Sequence, residues 1–433
     1  MKNRKHLYLI ICMMAFVCQS CKKNSDTNSP QITITKPLEN QQFNIYDIIT
    51  VIANVCDDKK LVSIDVSVTN DSFITMMSTP TIHPENNCYD VNLDIKITDI
   101  HLATGIYYVL VRASDGVNET RAFQEIHITT LPKKLKYLIV VSKNAGEITL
   151  SKIDSTFTLS PIKTLTTDYC GSAVSSDAQL FYIAGKYTGD VSVFSTISWL
   201  LQWSVPAIVS PPFPYFEAIS VHNSQLYVSY REGKFEIFDD AGSIIAQRVI
   251  DFGNYPTVFT PIKDKLLTYE RSPSDMTRQM VVYFTPSYSI QQKNLVTCEI
   301  QNIYEKDADN YFVLCNEVNS AIIKLYTLST HNFWDAYTIA AGNIVSSAQV
   351  DDNSFLYISN NTVYWYNYQT SGSVSMLSGQ NLQNLVFDET SSDYYFSEDY
   401  HTIKKYVLPS TIVQASLSVS DSIINILPVY NKD

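Results

Sequence analysis

An internal repeat limits the folds that are open to most of this chain. Between residues 133 and 433, a short strand-like run of apolar and aromatic residues recurs seven times. Marker residues within these runs are 44, 45, 40, 45, 45 and 38 residues apart: Leu138, Tyr182, Tyr227, Leu267, Phe312, Tyr357 and Tyr395. Seven units in 301 residues average 43 residues each, which is the length of a four-stranded repeat.

Each marker run is flanked by further strand-like runs. An apolar run that ends in a polar turn precedes it, as Ala348–Val350 does before Asp351, and another strand follows, as Val363–Tyr366 does. Four strands in a unit of this length are typical of a propeller blade. We therefore predict an all-β chain with a seven-bladed β-propeller over residues 133–433.

The two ends of the repeat predict how the ring closes. The first unit starts directly at its second strand, Tyr137–Val141, whereas Ile424–Val429 is typical of an innermost strand with no unit after it. Pro428 occupies the same place as Pro261, and proline is tolerated in an innermost strand because one strand edge is unpaired. The C-terminal strand is thus expected to complete the first blade.

Leu226–Ser229, followed by Phe235–Asp239, resembles the YVTN-type propeller repeat. The likeness covers most of residues 133–433 in degenerate form, and it bears on the fold more than on the chemistry. Composition agrees, since 12 glycines and 29 tyrosines favour aromatic-rich β-structure over glycine-rich phosphate-binding loops.

Residues 31–131 show a different strand pattern, which predicts a separate β-sandwich. Alternation places Tyr107, Val109 and Val111 on one face of a strand. The segments Gly105–Gly116 and Ala53–Asp58 resemble bacterial immunoglobulin-like modules, which implies an immunoglobulin-like β-sandwich over 31–131. Three aspartates at strand ends either cap turns or bind calcium: Asp57, Asp58 and Asp115.

The N-terminus has the charged-then-apolar layout of a secretory signal, with an apolar run from Leu7 to Cys18 that is too short to span a bilayer. Val17–Lys23 resembles the lipoprotein signal of Bacteroidota, in its Ser-Cys-Lys-Lys form. The resemblance implies a signal peptide over 1–20, a lipid anchor on Cys21, a flexible tether over 21–30 and an outer-membrane location facing either side. The alternative is an ordinary cleaved signal with an incidental cysteine.

Five cysteines remain in the folded part, and none has a second cysteine or a histidine at metal-binding spacing. A zinc site is therefore not predicted, and the predicted site residues include no metal ligand and no cofactor. An oxidising compartment permits disulfides, and the spacing suggests pairing of Cys56 with Cys88 and of Cys298 with Cys315, which leaves Cys170 free. One sequence does not determine this connectivity.

Charge and motifs exclude several functions. A formal net charge of -12 makes nucleic acid an unfavourable partner. His222, His331 and His401 fall in different units, and no catalytic motif is present, so a convergent catalytic set is not predicted. A lactonase-like or lyase-like enzyme remains an alternative, because propeller active sites need not be contiguous in sequence.

Two unusual loops are expected on the face where propellers usually bind ligands. They are the proline-rich loop Pro206–Phe216 in the third unit and the loop Glu270–Gln279 in the fourth. Aromatic rings beside guanidinium groups suit sugars and other polar ligands with apolar faces. The predicted ligand-binding residues are Phe213, Tyr215, Tyr230, Arg231, Tyr255, Arg271 and Arg278. The alternative is that the proline-rich loop only packs its aromatic rings over the rim.

These observations favour a non-catalytic outer-membrane lipoprotein whose propeller binds a glycan, peptide or protein outside the cytoplasm. The alternatives are a propeller enzyme and a scaffold subunit of an envelope protein complex.

Overall fold

The computed structural model describes residues 27–71, 73–99, 102–129, 132–208, 213–250, 253–272, 277–285, 287–339 and 342–431. Within these ranges the chain is all-β. It contains no helix there, and hence none that is long and apolar enough to cross a membrane. The predicted signal peptide and the lipidation residue Cys21 lie outside the described residues. The chain divides into two compact units between Pro132 and Lys133.

The N-terminal unit contains two sheets with one core. Its strands are β1 (Gln31–Lys36), β2 (Gln41–Asn44), β3 (Ile48–Cys56), β4 (Ser63–Asn70), β5 (Thr75–Ser78), β6 (Cys88–Lys96), β7 (Gly105–Ser114) and β8 (Glu119–Thr129). One sheet has the order β1-β3-β6 and the other the order β2-β8-β7-β4-β5. Alternate residues of β3, β4 and β7 are buried together, among them Val51, Val66 and Val109. The two sheets therefore pack on each other through their inward faces.

Two of the three aspartates weighed as calcium ligands cap turns. Asp57 Oδ2 accepts hydrogen bonds from the backbone N–H groups of Lys59 and Lys60, both at 2.9 Å. Asp115 Oδ1 accepts from two backbone N–H groups in the same way, and Asp58 Oδ2 accepts from the Asn28 amide at 2.9 Å. Among the described residues, no group of three or more His, Cys, Asp or Glu side chains is placed to hold a metal ion.

The second unit consists of four-stranded antiparallel sheets. Its strands are β9 (Lys134–Asn144), β10 (Glu147–Ile153), β11 (Leu159–Thr166), β12 (Gly171–Ser175), β13 (Leu180–Ala184), β14 (Val191–Ser195), β15 (Leu201–Val205), β16 (Phe216–His222), β17 (Gln225–Tyr230), β18 (Lys234–Phe238), β19 (Ile244–Val249), β20 (Tyr255–Ile262), β21 (Lys265–Arg271), β22 (Arg278–Phe284), β23 (Ser289–Leu295), β24 (Glu299–Glu305), β25 (Asn310–Asn316), β26 (Ala321–Thr327), β27 (Asn332–Ile339), β28 (Ile344–Asp351), β29 (Ser354–Ser359), β30 (Thr362–Asn367), β31 (Gly372–Ser378), β32 (Gln383–Asp388), β33 (Asp393–Glu398), β34 (Thr402–Val407), β35 (Ala415–Ser418) and β36 (Ser422–Asn431).

From the innermost strand outward, sheet I is β36-β9-β10-β11 and sheets II to VII are β12–β15, β16–β19, β20–β23, β24–β27, β28–β31 and β32–β35. The innermost strands contact one another in turn around a circle, and β36 contacts both β32 and β12. This closed, radial arrangement of antiparallel sheets is a β-propeller. The marker runs of the repeat are the second strands of the sheets.

Sheet I is built from both ends of the unit. The C-terminal strand β36 pairs antiparallel with β9, with Pro428 opposite Leu138 and Ile426 opposite Val140. Pro428 and Pro261 both lie in innermost strands, where a missing N–H donor is tolerated.

Two disulfides are present among the described cysteines. Cys56 and Cys88 link β3 to β6, and Cys298 and Cys315 link the start of sheet V to β25. Cys170 is a free thiol. Burial raises the pKa of the Cys170 thiol to about 12, so the reactive thiolate is not formed at neutral pH.

Candidate functional site

One rim of the propeller collects charged side chains from three neighbouring sheets. Because the first two strands of a sheet are antiparallel, the start of the innermost strand lies beside the end of the second strand. Tyr255 is thus opposite Arg271 in sheet IV, and Glu299 is opposite Asn316 in sheet V. We call this side of the propeller the upper rim.

The innermost strands begin with a bulge at this rim. The pairing register shifts between Phe216 and Ala218 in sheet III, and similar shifts follow the starts of β20, β24 and β28. A bulge leaves one residue unpaired and redirects its side chain. In sheet III the bulged residue is Glu217, and its carboxylate accepts a hydrogen bond from Arg231, which directly follows β17.

Five side chains form a continuous hydrogen-bonded arc along the upper rim: Glu217, Arg231, Tyr255, Arg271 and Glu299. The guanidinium of Arg231 donates through Nη1 to Glu217 Oε1 at 2.6 Å and to Tyr255 Oη at 2.8 Å. Arg271 donates through Nε to the same Tyr255 Oη at 3.0 Å and through Nη1 to Glu299 Oε1 at 3.0 Å. We call this set the rim arc.

Tyr255 is the centre of the rim arc. Its phenol oxygen accepts from both guanidinium groups, and the guanidinium carbons of Arg231 and Arg271 lie 4.7 and 5.6 Å from its ring centroid. Such cation–π contacts hold planar cations in place on an aromatic face. Both arginines are therefore held close together by one buried tyrosine.

The two ion pairs of the rim arc differ in burial. The Glu217 side chain is 5% exposed and its partner Arg231 is 27% exposed, whereas Arg271 and Glu299 are 40% and 41% exposed. Burial opposes the charge of Arg271, but the hydrogen bond to Tyr255 and the nearby carboxylates raise the pKa of its guanidinium. The rim arc thus has a buried, fixed half and an open half.

The rim arc keeps hydrogen-bonding capacity for a ligand. A guanidinium has five N–H donors. Among the described residues, Arg231 uses one of its guanidinium nitrogens and Arg271 uses two. Along the arc the two guanidinium groups flank Tyr255 and a carboxylate stands at each end, so the arc presents both donors and acceptors to a ligand.

Glu270, the residue before Arg271, carries a buried carboxyl group. Glu270 is fully buried and accepts hydrogen bonds from Gln279 Nε2 at 2.9 Å and from Tyr283 Oη at 2.5 Å. Burial raises the pKa of this carboxyl group. Because these bonds tie β21 to β22 next to Arg271, they fix the strand end that carries this part of the arc.

Arg278 lies next to the rim arc, beside a cleft of about 420 Å³. Its Nη1 donates to the backbone oxygen of Thr297 at 3.4 Å. The cleft is also lined by Thr297, Glu299, Asn316, Glu317, Val318, Asn319 and Ser320. Glu299 belongs to both features, so the cleft continues the open half of the arc.

Three of the four predicted ligand-binding aromatics are buried rather than open for stacking: Tyr215, Tyr230 and Tyr255. Tyr215 and Tyr230 pack with Phe216 in the core between sheets II and III, with the two tyrosine rings 5.4 Å apart. The Tyr230 hydroxyl donates to Glu236 Oε2 at 2.6 Å. Neither ring offers an open face for stacking, because the neighbouring sheet covers it. Phe213, by contrast, is exposed.

The structure thus brings together Arg231, Tyr255 and Arg271, and places Arg278 beside them. Sequence reasoning missed Glu217 and Glu299. Both stand at the start of an innermost strand, Glu217 as the bulged residue of β16 and Glu299 as the first residue of β24. Inspection of the first strands as well as the second strands for charged residues was the signal that could have found them.

The three histidines considered in the sequence lie apart. Nε2 of His222 is 2.7 Å from Ser220 Oγ in sheet III, and Nδ1 of His331 is 2.8 Å from Tyr326 Oη in sheet V. Nδ1 of His401, in the turn between β33 and β34, is 3.2 Å from the backbone oxygen of Asp421. Each has a local partner, and the three do not converge on one site.

Comparisons with known proteins address the fold alone. No protein-family model matches the chain, and no curated protein matches it. A functionally unknown protein from Desulfotomaculum acetoxidans DSM 771 is similar in structure, with a TM-score of 0.51, 15% identity and coverage of 68% of this chain and 98% of that one.

Two further structures are more weakly similar. A quinonprotein alcohol dehydrogenase-like protein from Bacteroides thetaiotaomicron VPI-5482 has a TM-score of 0.48 and 11% identity, over 93% of this chain and 98% of that one. The Cps50 (Swd1) β-propeller domain of Myceliophteria thermophila has a TM-score of 0.45 and 9% identity, over 59% of this chain and 88% of that one. The closed circle of four-stranded sheets itself identifies the second unit as a β-propeller.

Proposed function

We propose that this protein is a non-catalytic, lipid-anchored outer-membrane lipoprotein whose propeller binds a glycan, peptide or protein ligand at the rim arc. The observation that carries the proposal is the convergence of Arg231 and Arg271 on the phenol oxygen of Tyr255, at 2.8 and 3.0 Å. Such preorganised donors bind a ligand at low entropic cost, because the side chains are ordered beforehand.

The proposal includes the architecture. Residues 31–131 form an immunoglobulin-like β-sandwich, and residues 133–433 form a seven-bladed propeller closed by the C-terminal strand. The two packed sheets of the N-terminal unit and the circle of innermost strands support this description. The propeller supplies the rigid support that a preorganised site needs.

Loss of the open guanidinium should weaken ligand binding. For a ligand found by screening glycan and peptide arrays, Arg271→Ala is expected to raise the Kd roughly tenfold to a hundredfold, since hydrogen bonds to charged groups contribute about 1.5–3 kcal/mol. Titration calorimetry measures this change. Tyr255→Phe, which removes only the shared phenol oxygen, should weaken binding as well.

The control for this experiment is Lys152→Ala, which removes an exposed cation from sheet I. It should leave the Kd unchanged. If Arg271→Ala, Tyr255→Phe and Arg278→Ala all bind as tightly as the parent, the rim arc is a structural feature and the ligand binds elsewhere. Tyr215→Ala and Tyr230→Ala are unsuitable tests, because removing a buried ring destabilises the core.

The lipid anchor is tested by a pair of cysteine variants. Cys21→Ala should yield a protein without an acyl label that leaves the membrane fraction or stays unprocessed, since one thiol carries the attachment. Cys18→Ala is the matched control, because it changes a cysteine three residues earlier and should be labelled normally. Labelling with a clickable fatty acid measures both, and normal acylation of Cys21→Ala would contradict the proposed anchor.

A further inference from the structure

The outward face of the five-stranded sheet in the N-terminal unit carries three aromatic side chains in mutual contact. The ring centroids of Phe73 lie 5.4 Å from Tyr108 and 5.2 Å from Phe123, and the last two are 6.5 Å apart. Phe73 is 59% exposed and Phe123 is 45% exposed. We call these three residues the aromatic patch. Clustered, exposed aromatic rings mark binding surfaces on soluble domains.

The turn between β4 and β5 holds Phe73 in an unfavourable backbone conformation. Its φ is 59°, which is uncommon for a bulky residue. Asn70 fixes this turn, because its side-chain oxygen accepts from Ile74 N at 2.9 Å and its backbone oxygen accepts from Phe73 N at 3.0 Å. The turn at Asp154–Thr158 has the same hydrogen bonds and holds Phe157 at the same φ of 59°, so this turn type accounts for the conformation. In the N-terminal unit it sets the Phe73 ring against Tyr108 and Phe123.

A polar groove of about 420 Å³ lies beside the aromatic patch on the same sheet. Leu110 joins the two features, because it is opposite Phe123 on one side and opposite Ser67, a groove residue, on the other. The groove lining is rich in hydroxyl groups, including Ser67, Thr75 and Ser78. The volume lies in the range of small-ligand sites.

The charged groups of the groove are paired and fixed. Arg112 donates through Nε and Nη2 to Asp65 Oδ2 at 3.1 and 2.7 Å, and Thr81 Oγ1 donates to Asp65 Oδ1 at 2.6 Å. Arg121 donates to Glu119 at 2.8 Å. Because each cation has its own carboxylate, the groove does not require a charged ligand.

From this combination we infer that the aromatic patch and its groove form a second binding site, for a neutral saccharide chain. A sugar ring has an apolar C–H face that stacks on exposed aromatic rings, and hydroxyl groups that hydrogen-bond to paired carboxylate, guanidinium and hydroxyl side chains. An extended peptide would instead pair with a free sheet edge. The groove reaches the edge strand β5 through Thr75 and Ser78, but it continues over the face of β4 and β7, where the backbone groups are already paired. This site is independent of the rim arc.

The test uses the whole protein in native gels that contain galactomannan, xyloglucan, amylopectin or laminarin, followed by titration calorimetry with any polysaccharide that retards it. We expect at least one to retard migration. Phe123→Ala should then weaken binding about tenfold or more, as loss of a stacking ring does. Phe123→Thr keeps a strand-favouring residue at this position and should behave in the same way.

Two controls separate this site from others. Tyr89→Ala removes an exposed aromatic ring from the other sheet of the same unit, and Arg271→Ala disables the open half of the rim arc. Tyr89→Ala should not change the retardation. Retardation that Arg271→Ala abolishes and both Phe123 variants retain would place the polysaccharide at the rim arc instead. The inference is overturned if none of the four polysaccharides retards the protein, or if both Phe123 variants are retarded like the parent. It is also overturned if sedimentation shows a dimer that Phe123→Ala dissociates, since the patch would then be a self-association surface.

Discussion

Deletion of residues 420–433 is expected to unfold the propeller unit. The deletion removes β36, which is the innermost strand of sheet I, and exposes the whole paired edge of β9. It also removes Ile423, Ile426 and Val429 from two core clusters. Each such side chain stabilises the folded state by roughly 1.5–3 kcal/mol, against a total of about 5–15 kcal/mol for a typical domain. The loss of strand pairing lowers the stability of the folded unit further, and the open edge promotes aggregation.

Thermal unfolding followed by circular dichroism, together with gel filtration, measures this effect. We expect aggregation, or loss of the main unfolding transition seen in the full chain. The matched control removes only residues 432–433, which leaves β36 intact and should not change melting. A truncated protein without residues 420–433 that melts like the parent would show that sheet I is stable without its C-terminal strand.

Replacing Arg231 by alanine should destabilise the protein by about 3 kcal/mol or more. Glu217 is 5% exposed and hydrogen-bonds to Arg231 at 2.6 Å, so the substitution leaves a buried carboxylate without its cation. Breaking such a pair typically costs about 3–5 kcal/mol, chiefly through the uncompensated charge. Denaturant unfolding of the variant and the parent measures the difference in free energy.

Arg271→Ala is the matched control for this stability prediction. Its pair with Glu299 is 40% and 41% exposed, and exposed ion pairs contribute about 1 kcal/mol or less. Adding Glu217→Gln to Arg231→Ala should recover part of the lost stability, because it removes the unpaired charge. Equal losses for Arg231→Ala and Arg271→Ala would mean that burial does not distinguish the two halves of the rim arc.

These predictions assign stability and ligand binding to different residues of the upper rim. Arg231 and Glu217 are expected to govern stability, whereas Arg271 and Arg278 are expected to govern binding. This division follows from exposure, because a group that is already desolvated and paired in the folded protein gains little by contacting a ligand. Ligand contacts are therefore expected at the open half of the rim arc and in the adjoining cleft.

The sequence by itself was sufficient to predict the all-β class and the propeller. Strand length and alternation are local properties, and a repeat of about 43 residues leaves few folds that could accommodate it. For the same reason the second strands, the faces of β7 and the unusual strand Ser422–Asn431 were recognisable from residue order alone.

Only the tertiary structure decided which residues form the rim arc. Tyr215 and Tyr230 have the composition of a stacking surface, yet the neighbouring sheet buries them. Glu217 and Glu299 carry no distinctive motif, yet a strand bulge and the proximity of the next sheet bring them to Arg231 and Arg271. The physical reason is that burial and ion pairing at a propeller rim depend on contacts between residues far apart in sequence, whereas strand formation depends on near neighbours.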